Sequence, residues 1–152
     1  MPVVQKQDFY HVSLKLLLKN NEGHVLILKA RSEGSMEGFY DVPGGRIDTD
    51  EFTAPFEMIL RREVKEEIGD VEVSINLNPV AVSRGMIGSS VHHEGEEIHI
   101  LYIFFEADYH GGDIVISDEL TDHKWVDLGR IDPKDYFNGG ILEGIQTYLE
   151  IN

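Results

Sequence analysis

The chain has 152 residues, enough for one domain with a single hydrophobic core, and its composition (41% hydrophobic, 27% charged) is that of a folded globular protein. Its 28 acidic residues outnumber the 13 lysines and arginines, so the formal net charge is −15, which argues against the basic surface that nucleic-acid polymers require. An acidic protein can still act on polyanionic small molecules if a divalent cation bridges the two.

The sequence contains no cysteine, which removes disulfides, thiolate metal sites and a cysteine nucleophile. The first ten residues lack the basic and then apolar layout of a signal peptide. The longest apolar run, at residues 100–105, is far too short to span a membrane. We therefore expect a cytoplasmic protein that has no membrane partner.

In the first third of the chain, alternating apolar and polar residues predict a β-hairpin at residues 11–30, with its turn at 20–23. A polar, glycine-containing loop at 31–38 follows the hairpin. A short strand at 39–42 then ends at Pro43-Gly44-Gly45, because proline interrupts the ladder and glycine frees the backbone.

The hydrophobic period then changes from two to about 3.6, which predicts a helix from about residue 54 to residue 68. Leu60, Val64 and Ile68 recur every four residues and form one apolar stripe. Gly69 suits the position just beyond the end of the helix. The stripe indicates that this helix packs one face against a sheet.

The second half of the chain predicts further strands, at residues 71–75, 79–83, 98–107 and 123–128. The strand at 98–107 is apolar on both alternations, which is typical of a strand buried on both faces. A long loop is expected at 83–97, and a C-terminal helix is indicated by an apolar face of Ile141, Ile145, Tyr148 and Leu149. This mixture of strands and helices predicts one α/β domain over residues 1–152, a mixed sheet covered on both faces.

Three glutamates fall within five residues of the first helix. Glu63 and Glu67 are four residues apart and Glu66 is three from Glu63, so their carboxylates project from one side of the helix. Such a cluster disperses into solvent, retains protons, or binds hard cations such as Mg²⁺ or Mn²⁺. Because the glutamates could pair with Lys65, Arg61 and Arg62, an ordinary solvated charged helix is the competing interpretation.

The glycines upstream favour the cation interpretation. Gly44 and Gly45 end a strand and offer backbone without side chains, which can approach a ligand closely or present a carbonyl to a metal. A strand, a Gly-Gly loop and an acidic helix together predict a cation site.

The same residues resemble the Nudix box, Gly-x5-Glu-x7-Arg-Glu-U-x-Glu-Glu-x-Gly-U, where U is a bulky aliphatic residue. Gly45-x5-Glu51 fits the first part, and residues 62–69 (REVKEEIG) fit the second. Ten residues rather than seven separate Glu51 from Arg62, so this box, at Gly45–Asp70, carries a three-residue insertion. The residue after Gly69 is Asp70, where the pattern has an aliphatic one.

This resemblance to the Nudix (MutT-like) hydrolase superfamily implies an α/β/α sandwich with a mixed central sheet. It implies a Mg²⁺- or Mn²⁺-dependent hydrolase that cleaves the diphosphate linkage of a nucleoside diphosphate derivative, such as a nucleoside triphosphate, a nucleotide sugar or a dinucleotide. The implied partners are a nucleotide-type small molecule and, as in similar proteins, a second copy of the chain. An inactive Nudix-fold module that binds nucleotides and regulates is the alternative.

Residue roles follow from the motif. The implied metal ligands are Glu63, Glu66, Glu67 and the Gly44 carbonyl. Arg62 is expected to orient Glu63, which has a catalytic role, through a charge-assisted hydrogen bond. Gly44, Gly45 and Arg46 are the expected substrate-binding residues.

Part of the family places a general base outside the box. Glu119 is the best match here, with Glu96 and Glu97 as further candidates, and an exposed turn residue is the competing interpretation of Glu119. His92 and His93 lie on the long loop, where they could contact phosphate or base. A calcium-binding loop beginning at Asp48 is rejected, because it lacks glycine at its sixth position.

Overall fold

The computed structural model describes residues 6–31, 38–88 and 97–151. The strands are β1 (Tyr10–Lys19), β2 (Val25–Ala30), β3 (Tyr40–Asp41), β4 (Gly44–Arg46), β5 (Glu72–Ile87), β6 (Ile98–Gly111) and β7 (Leu120–Val126). The helices are α1 (Phe56–Ile68) and α2 (Gly139–Ile151), and short 3-10 helices occur at Thr49–Glu51 and Pro133–Asp135.

All seven strands join one mixed sheet. Its main order is β3-β2-β1-β6-β5, while β4 pairs with β1 and β7 pairs with β2. The long central pair, β1 with β6, is parallel, and the other pairs are antiparallel. The strand β6 lies between two neighbours, which accounts for the apolar residues on both of its faces.

The alternating residues of β1 separate two hydrophobic cores. Leu14, Leu16 and Leu18 pack with the stripe of α1, whereas Leu17 belongs to the core beneath α2. Both stripes are buried as the sequence predicts: Leu60, Val64 and Ile68 on α1, and Ile141, Ile145 and Tyr148 on α2. The predicted α/β/α sandwich is therefore confirmed. Neither α1 nor α2 combines the length and the apolar composition needed to cross a membrane.

The predicted loop at residues 83–97 is wrong at its beginning, because β5 continues to Ile87 and pairs there with Ile98. The two strands expected at 71–75 and 79–83 are one strand, with an irregular register between Asn76 and Ala81. Small residues continue the strand for packing reasons. The Ser83 hydroxyl donates to the Gly140 carbonyl at 2.6 Å, and a Cβ on Gly85 would lie 2.9 Å from the Tyr102 ring.

Candidate active site

The strand β4 lies against β1 on one side and beneath α1 on the other, so it brings the two glycines to the acidic helix. Gly44 is paired with Lys15 of β1 and has φ +132°, a backbone conformation that L side chains rarely adopt. A Cβ at Gly44 would also collide with the Leu14 carbonyl oxygen. Glycine is therefore required here for both conformation and space.

Glu67 is fixed to this strand by a backbone hydrogen bond. The Gly44 amide donates to Glu67 Oε1 at 2.8 Å. Burial raises the pKa of Glu67 to about 8, although the Gly44 amide and the Lys15 charge oppose this shift. The Glu67 carboxylate thus lies where its negative charge is poorly solvated.

Glu63 lies against the next residue of the strand. A Cβ on Gly45 would lie 2.5 Å from Glu63 Oε1, so only glycine leaves room for this carboxylate. Burial raises the pKa of Glu63, while the neighbouring Arg62 guanidinium lowers it. The Gly-Gly strand therefore receives two carboxylates of α1, Glu67 on Gly44 and Glu63 on Gly45.

Arg62 connects the acidic groups around it. Its Nε and Nη2 donate to the two carboxylate oxygens of Glu51 at 2.7 and 2.8 Å. Its Nη1 lies 3.1 Å from Glu63 Oε1 and 3.1 Å from Glu66 Oε2. One guanidinium thus contacts the carboxylates of Glu51, Glu63 and Glu66 closely, with Asp48 Oδ2 farther away at 3.9 Å, and it limits the directions in which Glu63 and Glu66 can turn.

Glu51 reaches Arg62 despite the ten intervening residues. It ends the 3-10 helix that begins at Thr49, and its side chain accepts a hydrogen bond from the Asp48 amide at 3.0 Å in a capping box. Residues 52–55 form a turn before α1, with Pro55 at the N-cap. The Arg62 hydrogen bonds, followed by the one from the Asp48 amide, lower the pKa of Glu51, so Glu51 is the charged partner of the arginine.

Distance alone indicates a different acidic group. Within the described residues, carboxylate oxygens of Asp48, Asp50 and Glu51 lie within 4.8 Å of one another, which is not true of the three helix glutamates together. Both Glu51 oxygens are already bound by Arg62, and Asp48 and Asp50 are exposed. We therefore prefer the helix glutamates as the cation site, because two of them are partly buried and their charge is not offset by solvent.

The residues of the candidate site fit a hard divalent cation. The donors that α1 offers are carboxylate oxygens, which Mg²⁺ and Mn²⁺ prefer. Burial raises the pKa of Glu63 and of Glu67, and a cation held between them would favour their charged forms. The space that a Cβ at Gly45 would fill is kept open beside Glu63.

Lys15, which is buried, and Asp41, which is half-buried, form an ion pair that sequence reasoning missed. Lys15 Nζ lies 2.9 Å from Asp41 Oδ2, and the lysine is only 6% exposed. Burial opposes the charge of Lys15, but the ion pair and hydrogen bond with Asp41 outweigh it and raise the lysine pKa. The signal in the sequence is a lysine flanked by leucines in an inner strand, and it is ambiguous because lysine also occupies solvent-facing positions.

The remaining predicted residues are spread around this centre. Arg46 is exposed, and its Nη1 lies 3.2 Å from His11 Nδ1. Glu119 is exposed in the turn before β7, two residues after Ser117, whose amide donates to the Glu67 carbonyl at 3.0 Å. Glu97 contacts His99 at 3.4 Å. The other candidates, Glu96, His92 and His93, lie outside the described residues.

Comparisons with known proteins identify the class. Residues 9–143 match the model of the NUDIX domain, so the chain belongs to the Nudix family, and it is an enzyme of the pyrophosphohydrolase type. Over 112 aligned residues it is 33% identical to the nucleoside triphosphatase NudI of Salmonella agona (strain SL483). This alignment covers 72% of this chain and 77% of that protein.

Solved structures agree on the fold. A MutT protein from Methanosarcina mazei Go1 superposes with a TM-score of 0.73 at 21% identity, over 97% of this chain and 99% of that one. The E. coli dihydroneopterin triphosphate pyrophosphohydrolase gives a TM-score of 0.66 at 18% identity, over 95% and 100%. These likenesses extend over almost the whole of each chain.

Proposed function

We propose that the protein is a Mg²⁺- or Mn²⁺-dependent hydrolase that cleaves the diphosphate linkage of a nucleoside diphosphate derivative. Among such substrates, a nucleoside triphosphate is the first candidate, because the NudI relative is named a nucleoside triphosphatase. Nucleotide sugars and dinucleotides are the alternative substrates, and a substrate screen distinguishes them from nucleoside triphosphates.

The observation that carries the proposal is the contact between the Gly-Gly strand and the acidic helix. Glu67 Oε1 accepts a hydrogen bond from the Gly44 amide at 2.8 Å, and the Glu63 carboxylate occupies space that any side chain at residue 45 would fill. Both carboxylates are partly buried and Glu63 repels the charge of Glu67, which is unfavourable without a compensating cation. A metal-binding role accounts for that arrangement, whereas a solvated charged helix does not.

We assign Glu63, Glu66, Glu67 and the Gly44 carbonyl as the metal ligands. A bound divalent cation neutralises phosphate oxygens and lowers the pKa of a water molecule. Arg62 holds Glu63 and Glu66 in position through Nη1, and Glu51 in turn holds Arg62. Charge-assisted hydrogen bonds of this kind fix carboxylate direction, which the placement of a substrate phosphate requires.

We assign Glu119 as the general base, the group that removes a proton from the attacking water. Its support is its position: the chain from Val115 to Ser117 runs along the C-terminal end of α1, with amides donating to the carbonyls of Ile68 and Glu67. Glu119 follows two residues later and is exposed, so its carboxylate has freedom to reach a substrate on that side.

The test is a screen of nucleoside triphosphates, nucleotide sugars and dinucleotides with Mg²⁺ and with Mn²⁺, with products identified by mass spectrometry. We expect cation-dependent release of a nucleoside phosphate from at least one class. Tight nucleotide binding without hydrolysis of any compound, in the presence of either cation, would overturn the proposal in favour of a regulatory nucleotide-binding module.

The assignment of ligands is tested separately with Glu67→Gln. This change keeps the size of the side chain and its hydrogen bond from the Gly44 amide, but removes one ligand charge. We expect turnover to fall by orders of magnitude while the melting temperature is kept or raised, because the buried charge is gone. Turnover at the wild-type rate would show that Glu67 is not a ligand.

A further inference from the structure

A cleft of about 1170 Å³ lies between the start of β1 and the segment that leads into α1. Its walls include Tyr10 and His11 of β1, Arg46 of β4, and residues 48–52, 54 and 56. Glu51 is one of these residues, and its carboxylate also binds Arg62. The cleft therefore adjoins the arginine that contacts Glu63 and Glu66.

Three aromatic side chains line this cleft and remain exposed. Phe52 is 90% exposed, Phe56 is 42% exposed and Tyr10 is 37% exposed. Two of these rings are held by neighbours: the Phe56 ring packs edge-on against Phe105 at 6.2 Å, and the Tyr10 ring lies 5.7 Å from His99. Pre-positioned aromatic rings around one opening favour a flat apolar ligand group, because they give it stacking partners.

The cleft also carries a cation. Arg46 directly follows Gly45, which contacts Glu63, and it lines the same cleft as the aromatic rings. Its guanidinium is hydrogen-bonded to His11, and no carboxylate of the described residues lies within 4.0 Å of it. In a chain with a net charge of −15, an arginine without a carboxylate partner is available to an anionic ligand.

We propose that this cleft binds the nucleobase of the substrate, with Phe52 and Phe56 against the ring and Arg46 on the adjacent phosphate group. This inference rests on the proposed function and adds to it the place of the base and the residues that determine affinity for it. One extended ligand could reach all of these groups, because Gly45 contacts the acidic helix, and Arg46, the next residue of the strand, lines the same cleft as the aromatic rings.

Binding is tested with a methylene-bridged nucleoside diphosphate, which is not hydrolysed, and with inorganic tripolyphosphate, which has no base. Dissociation constants are measured by titration calorimetry in Mg²⁺. Removing the ring in Phe52→Ala is expected to weaken the nucleotide on the order of tenfold and to leave tripolyphosphate unchanged, since base stacking on one aromatic side chain accounts for an effect of that size. Phe52 is exposed, so the fold is unaffected.

Two further variants complete the design. Val115→Ala removes an apolar side chain of similar exposure, 67%, that does not line the cleft, and both ligands should bind it as they bind the wild type. Arg46→Met should weaken both ligands and reduce the salt dependence of their affinities, because it removes a phosphate contact common to them. Unchanged affinities in Arg46→Met would overturn the assignment of Arg46.

The outcomes separate this inference from the proposed function. If nucleotides are hydrolysed but Phe52→Ala binds the methylene-bridged nucleotide as tightly as the wild type, the base lies elsewhere and the inference is overturned alone. An equal loss for tripolyphosphate in Phe52→Ala also overturns it, because the effect is then independent of the base. Base-dependent binding through Phe52 without any hydrolysis supports the inference and overturns the proposed function.

Discussion

Replacing Gly45 with alanine tests whether the strand and the acidic helix are matched to each other. The added Cβ would lie 2.5 Å from Glu63 Oε1, 2.7 Å from Cδ and 2.8 Å from Oε2, so it meets the whole carboxylate. Ordinary contact begins near 3.4 Å, and the carboxylate must therefore retreat by about 0.9 Å. The backbone at Gly45 does not require a positive φ, so the substitution strains only this contact.

The displacement matters for chemistry more than for folding. Glu63 is a flexible side chain at its far end, and Arg62 can follow it, so we expect a melting temperature within a few degrees of wild type. A misplacement on the order of 1 Å can cost about a hundredfold in rate when it moves a group that positions the substrate. We therefore expect a fall of about a hundredfold in metal-dependent turnover, together with weaker Mn²⁺ binding measured by titration calorimetry without substrate.

Gly88→Ala is the matched control, because no heavy atom of the described residues lies within 4 Å of the Cβ position at Gly88. It should keep the wild-type rate and the wild-type affinity for Mn²⁺. The match between Gly45 and Glu63 would be refuted if folded Gly45→Ala protein bound Mn²⁺ normally and turned over substrate at the wild-type rate. Glu63 would then not need the space that glycine provides.

Three further predictions concern the surroundings of the site. Gly44→Ala should lower the melting temperature strongly, because the added Cβ collides with the Leu14 carbonyl and the φ of +132° is unfavourable for alanine. A variant as stable as the wild type would contradict the observed strand geometry. Glu51→Gln removes the charged partner of Arg62. Turnover should then fall roughly 10- to 100-fold with little change in melting temperature, as it does for other groups that orient a metal ligand. An unchanged rate would show that Arg62 is positioned without Glu51. Burial opposes the charge of Glu106, but hydrogen bonds from Lys19 and from the Tyr148 hydroxyl (2.8 Å) outweigh it and lower the Glu106 pKa, so the stabilising charge is present above pH 4.5 and is lost as the pH falls through the lowered pKa. Glu106→Gln should therefore be less stable than wild type at pH 7 by roughly 1–2 kcal/mol in denaturant titrations, and this difference should shrink below pH 4.5. A difference that does not change with pH would contradict the assignment.

The elements that sequence predicted well are those whose signal is local. The stripe of Leu60, Val64 and Ile68 determines both the existence of α1 and the face that it buries. Its acidic residues then occupy the other sides, so the candidate site follows from the same spacing. The helix begins at Phe56, two residues after the predicted start, because the turn before it and Pro55 at the N-cap are not determined by the hydrophobic period.

The features that sequence could not supply depend on long-range contacts. The predicted loop at 83–97 includes Ser83 and Gly85, but the small size of these residues is required by α2 and by Tyr102, which are distant in sequence. The partner of Lys15 is Asp41, 26 residues away, and no periodicity connects them. The proximity of Phe52 to Tyr10 likewise exists only once β1 and the segment before α1 are adjacent.

The distribution of positive charge explains how an acidic chain tolerates its acidic centre. Arg62 supplies one charge to Glu51, Glu63 and Glu66 together, and Lys15 supplies one that is already engaged by Asp41. These two cations leave the carboxylate of Glu67 short of compensation, which is why burial raises its pKa so far despite the Gly44 amide. The proposed divalent cation would supply the missing charge, and Arg46, which pairs with His11 instead of a carboxylate of the described residues, would remain for the substrate phosphates.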